Sequence, residues 1–78
     1  MMNVGHLLHL KAITLDQKNA EAYVGRGGVY RAKGDIDRAI EDYDKAISLD
    51  SKFAPAYAGR GDAYQAKGDL DRAIADYD

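Results

Sequence analysis

Residues 20–44 read AEAYVGRGGVYRAKGDIDRAIEDYD and residues 54–78 read APAYAGRGDAYQAKGDLDRAIADYD, identical at 18 of 25 positions at a shift of 34. All six tyrosines fall in register: Tyr23, Tyr30 and Tyr43 match Tyr57, Tyr64 and Tyr77. Self-similarity at such a period signals a tandem repeat whose units bury their apolar faces against one another.

Within the period, Ala20, Tyr23, Gly27 and Tyr30 recur at spacings of three and four, as do Ile36, Ala39, Ile40, Tyr43 and Ile47. Both runs predict amphipathic helices. Gly34 and Gly68, each followed by aspartate, separate them: glycine supplies a left-handed helix end, and Asp35 or Asp69 an N-cap for the next helix. The unit is a helix-turn-helix pair in an all-α chain. Between units, Asp50-Ser51-Lys52-Phe53 is short and polar; Ser51 is the expected cap of the following helix, with Pro55 in its first turn.

The same shift maps Lys11-Ala12-Ile13-Thr14-Leu15-Asp16 onto Lys45-Ala46-Ile47-Ser48-Leu49-Asp50. Residues 1–19 are therefore expected to hold the divergent closing helix of a preceding unit, running from Met2 to Leu15. Residues 20–53 form a complete unit, and residues 54–78 a unit truncated in its second helix.

Composition narrows the function. The 78 residues are 46% apolar and 31% charged, with no cysteine and a net charge of -2. Lysine and arginine are spread evenly among the acids, so no basic face offers a footprint for nucleic acid or an anionic membrane. No apolar run approaches the roughly 20 residues of a membrane span. Met1 to Leu10 lacks the basic start and cleavage site of a signal peptide, and absence of cysteine fits a reducing compartment, which favours a cytoplasmic over a secreted location.

The period of 34, with an aromatic at Tyr23, then Gly27, Tyr30, Gly34, Ala39, Tyr43 and Ala46, resembles the tetratricopeptide repeat family. Tyr57, Gly61, Tyr64 and Ala73 repeat the structural set in the second unit. The resemblance implies antiparallel helix-turn-helix repeats stacked as a short right-handed superhelix. It also implies a concave groove that binds a peptide or partner protein, without catalysis or a cofactor. Its groove positions would be Glu21, Val24, Gly25, Gly28 and Arg31 in one unit, and Pro55, Ala58, Gly59, Asp62 and Gln65 in the next. Family members that clamp a chaperone's C-terminal carboxylate use Lys, Asn and Arg at such positions; Val24, Gly28, Ala58, Gly59 and Asp62 do not support that specificity. Small residues with acidic Glu21 and Asp62 instead favour an extended, basic peptide.

The chain departs from the family pattern at Ser51, where proline is usual, and at Arg26 and Arg60, where leucine is common. Since Asp42 and Asp76 recur with the arginines, an Arg-carboxylate contact is expected in each unit, Arg26 with Asp42 and Arg60 with Asp76.

Other motifs have plain structural readings. Gly25-Arg26-Gly27-Gly28 has neither the strand nor the Lys-Ser/Thr of a phosphate loop, and close helix packing explains Gly27 and Gly61. Gly25 and Gly59 are harder to explain, because a mid-helix glycine costs about 1 kcal/mol against alanine; a ligand backbone or a neighbouring helix approaching closely would account for them, as would drift in a stable array. The Asp-x-Asp pairs lack the central glycine and terminal glutamate of a calcium loop. His6 and His9 share a helical face without a third ligand nearby, so no metal is expected. With no cysteine, and with serines that have no local histidine, no catalytic constellation emerges.

Because the last helix stops before counterparts of Ala46, Ile47 and Leu49, Ile74 and Tyr77 are expected to be poorly covered. A second reading is therefore a self-assembling homo-oligomer joined through Leu7, Leu10, Leu70, Ile74 and Tyr77; the alternative for the same open ends is an excerpt of a longer repeat array.

Overall fold

A computed structural model describes residues 19–78. The expected helix from Met2 to Leu15, the pair His6 and His9, and the association residues Leu7 and Leu10 lie outside the described residues.

The described residues form four helices: α1 (19–32), α2 (Ile36–Leu49), α3 (Ala54–Lys67) and α4 (Leu70–Tyr77). The turns between α1 and α2 and between α3 and α4 are built alike. Gly34 and Gly68 take φ of +86° and +88°, the left-handed region that glycine enters without a Cβ penalty. The next amide then reaches back over the helix end, Asp35 N to Tyr30 O at 2.8 Å and Asp69 N to Tyr64 O at 2.9 Å. Asp35 and Asp69 accept from the backbone N–H of Arg38 and Arg72 at 3.4 and 3.3 Å, capping α2 and α4.

The connection between α2 and α3 corrects one expectation. Ser51 does not cap α3: the N-cap is Phe53, with no side-chain cap bond, and Pro55 stands in the first turn. Asp50 organises the turn instead, its carboxylate accepting from Lys52 N at 3.2 Å and its carbonyl from Phe53 N at 3.1 Å. The Ser51 carbonyl accepts from the Tyr57 hydroxyl at 2.8 Å. An aspartate folding onto its own turn has displaced the serine as the local organiser.

Two clusters form the core. Ala20, Ala46 and Ala56 bring α1, α2 and α3 together beneath Tyr23, Val24, Ile47, Leu49 and Phe53. Ala39, Tyr43 and Ala63 form the second, flanked by Val24, Tyr30, Ile36 and Ile40. Alanine at each crossing lets the helices approach closely, and the tyrosine fills the remaining space. α2 packs against α3, and α3 against α4. Among the described residues no helix is long and apolar enough to cross a membrane.

Candidate functional site

Tyr43 fixes how α1 and α3 stand relative to each other. Its ring lies where a side chain on Gly27 or Gly59 would have to be: a Cβ on Gly27 would come within 3.0 Å of it, and one on Gly59 within 2.7 Å of Cζ. A Cβ would collide with the ring at Gly59 and press on it at Gly27, because the ring is wedged between the two helices. Gly59 is thus accounted for by a neighbouring helix, one of the explanations raised for it, and its backbone is a packing surface for Tyr43. Gly61 plays for Tyr77 the part that Gly27 plays for Tyr43. A Cβ on Gly25 would meet no described atom within 4 Å.

The expected Arg-carboxylate contacts are present in both units. Arg26 donates through Nε and Nη2 to Asp42, both at 2.8 Å, and Arg60 donates likewise to Asp76 at 2.9 and 2.8 Å. The carboxylates are buried, so paired charge-assisted bonds answer their loss of water. They raise the arginine pKa values further, Asp42 being the first cause at Arg26 and Asp76 at Arg60.

Two ion pairs between units went unread in the sequence. Asp44 accepts from Arg60 Nη1 at 2.8 Å, and Asp37 from Lys67 at 2.7 Å. The usable signal was the register itself: Asp44 and Arg60 are separated by 16 residues, as are Arg26 and Asp42.

On α1 and α3 the expected groove residues divide by exposure. Glu21, Gly25, Arg31, Ala58 and Gln65 are exposed, whereas Val24, Gly28, Gly59 and Asp62 are half-buried. Val24 touches both core clusters. Four of these residues meet the tyrosine hydroxyls at one polar spot. Tyr77 donates to Asp62 and lies 3.3 Å from the Gln65 side-chain oxygen. The Tyr43 hydroxyl opens beside Gly28. It is also the first cause raising the pKa of Arg31, to which Asp62 and Tyr77 add.

Two open clefts lie among the described residues, the second sharing Ala58 and Tyr77 with this face. One of about 380 Å³ is lined by Asn19, Ala22, Tyr23, Arg26, Lys45 and Leu49. The other, of about 490 Å³, lies beside Ala54, Tyr57, Ala58 and Tyr77.

Comparison with known proteins agrees with this architecture. A 34-residue stretch is 47% identical to tetratricopeptide repeat protein 14 of Mus musculus, covering 44% of this chain and 4% of the mouse protein. The chain thus matches a small fraction of that relative's length. A TPR repeat family profile matches residues 27–68, more than half of the chain, from the Tyr43 seat on α1 to the left-handed turn after α3. With the repeated turns, the alanine crossings and the tyrosine wedge in place, the chain belongs to the TPR repeat family.

Proposed function

We propose that the chain is a non-catalytic binding module that holds an extended peptide or partner segment across the exposed face of α1 and α3. TPR repeats generally mediate protein-protein interaction. The supporting observation is where the two units differ. Seven of the 25 aligned positions are not identical, and four of them are groove positions: Glu21 against Pro55, Val24 against Ala58, Gly28 against Asp62 and Arg31 against Gln65.

Exposure alone does not account for this pattern. Ala32, Lys33, Asp37, Arg38 and Asp44 are exposed as well, and each is identical in the second unit. The helical frame is held constant while one face carries a different side chain in each unit, as a surface matched to a ligand on a rigid scaffold would. Gly28 and Ala58 leave room for a ligand backbone, and Glu21 and Asp62 offer carboxylates to basic side chains.

The test is a fluorescence-polarisation titration with a labelled extended Lys/Ser peptide against a Glu/Ser peptide of equal length. The Lys/Ser peptide binds, and Glu21→Arg and Asp62→Arg each weaken it while helix content is unchanged. Failure of both peptides to bind, or binding indifferent to the two substitutions, would overturn the proposal.

A further inference from the structure

Four of the five arginines are closed onto carboxylates within the described fold: Arg26 on Asp42, Arg38 on Asp35, Arg60 on Asp44 and Asp76, and Arg72 on Asp69. Arg31 makes no such pair among the described residues. It is exposed, and the Tyr43 hydroxyl beside it raises its pKa first, with Asp62 of α3 adding to the rise. Arg31 and Asp62 are thus near enough to feel each other, yet they stay beyond the N···O separation of about 4 Å that makes an ion pair.

The groups around this gap keep bonding capacity unspent. Asp62 gives one oxygen, Oδ1, to the Tyr77 hydroxyl and leaves Oδ2 without a hydrogen bond among the described residues. The Tyr43 hydroxyl finds no acceptor there, whereas that of Tyr77 finds Asp62 and Gln65. The contrast follows from the sequence of the two units. Gly28 stands where the second unit has Asp62, so the Tyr43 hydroxyl faces bare backbone, and even a Cβ on Gly28 would stop 3.9 Å short of it.

The chemistry of an occupant follows by elimination. A lysine side chain would meet the like charge of Arg31, and a carboxylate would meet that of Asp62. An apolar side chain would strip water from both charges and return no hydrogen bond. A hydroxyl carries its donor and acceptor on one atom and is too short to span the gap. A side-chain carboxamide is neutral and carries an acceptor oxygen and a donor nitrogen on separate arms.

We infer that the groove selects a glutamine or asparagine side chain of the bound segment at this gap, its oxygen accepting from Arg31 and the Tyr43 hydroxyl and its N–H donating to Asp62. The inference rests on the binding face proposed above and names the side chain taken at one place on it. It also gives Tyr43 a role outside packing: a residue of α2 reaches the groove through the space left by Gly27 and Gly59.

Fluorescence polarisation with the Lys/Ser peptide as host, one central residue replaced in turn by Gln, Glu or Leu, tests this. A repetitive host can slide along the face, so the guest selects its own register. On the unsubstituted chain the Gln guest should bind about tenfold more tightly than the Leu guest, the worth of about one net hydrogen bond to a charged group, and more tightly than the Glu guest. Arg31→Ala should bring the Gln guest down to the level of Leu. Asp62→Asn removes the repulsion of a second carboxylate, so the Glu guest should rise to Gln or above it. Three guests that bind alike would mean that the ligand main chain or water fills the gap and would overturn the inference. So would a Glu guest ranked first on the unsubstituted chain, or a Gln preference that survives Arg31→Ala; each of these leaves the binding face itself standing. Failure of the whole series to bind would overturn both. The ranking on the unsubstituted chain decides the matter even where a variant loses helix content.

Discussion

Tyr43 and Tyr77 hold the same position in the two units, yet one is 1% exposed and the other 50%. Arg26 and Arg60 differ in the opposite direction, with side chains 60% and 22% exposed. The local sequence around each pair is nearly the same. The difference comes from the neighbouring unit: α3 covers the face that carries Tyr43, and Asp44 reaches across to Arg60. In a solenoid, stability divides into a term for each unit and a term for each interface, and identical side chains inherit different shares of the second.

The sharpest way to break the comparison is to truncate both tyrosines. Tyr43→Ala empties a fully buried site between α1 and α3 and should destabilise the chain by about 3–5 kcal/mol, the range for large aromatic truncations. Tyr77→Ala should lower the urea midpoint by a small fraction of that shift. Equal losses, read by circular dichroism, would mean that the interface does not set the difference.

The glycines offer a test in which the sign changes. Gly59→Ala forces a methyl into the Tyr43 ring and should cost about 1–3 kcal/mol, as overpacking does. Gly25→Ala meets no described atom in an ordinary helix and should gain about 0.5–1 kcal/mol. Thermal melts of the two variants moving the same way would contradict the wedge.

Among the carboxylates, Asp76→Asn removes the buried partner of Arg60 and should cost about 1.5–3 kcal/mol, the range for bonds to charged groups. Asp44→Asn leaves the Asp76 fork intact and loosens an exposed contact worth about 0–1 kcal/mol. Denaturant unfolding should rank them in that order.

The smallest effect concerns pH. Donation to Asp62 raises the Tyr77 pKa above its ordinary 10.0, so the folded chain holds that proton more tightly than the unfolded chain does. Its contribution to stability is complete below the unfolded value and is lost as pH rises through the folded one. A difference absorbance titration against Tyr77→Phe should show Asp62→Asn lowering the ionisation pH; no change would remove Asp62 as the cause.

Most of the fold was legible because the repeat supplied its own control. Gly34 and Gly68, Asp35 and Asp69, and the Arg26–Asp42 pair could each be checked against a counterpart in the other unit. Reading failed where the deciding partner lay in the neighbouring unit. Comparing one unit with the other places Asp44 and Asp78 side by side, but it does not say that Asp44 meets Arg60. Ser51 was misread for a related reason: residues of the connection have no counterpart between α3 and α4, and Asp50 competed for the same turn. The groove positions were placed by resemblance, and the polar spot at Arg31, Asp62 and Gln65 required knowing where two tyrosine hydroxyls end.

The tyrosine wedge also gives the fold a mechanical direction. A load applied to the C-terminus meets α4 first, whose Leu70, Ile74 and Tyr77 are half covered or less, so this helix should peel away at low force. Further extension must then draw the buried Tyr43 ring out from between Gly27 and Gly59. An optical-trap record should show a soft step followed by a stiff one, and a single abrupt rupture would show that the two units yield together.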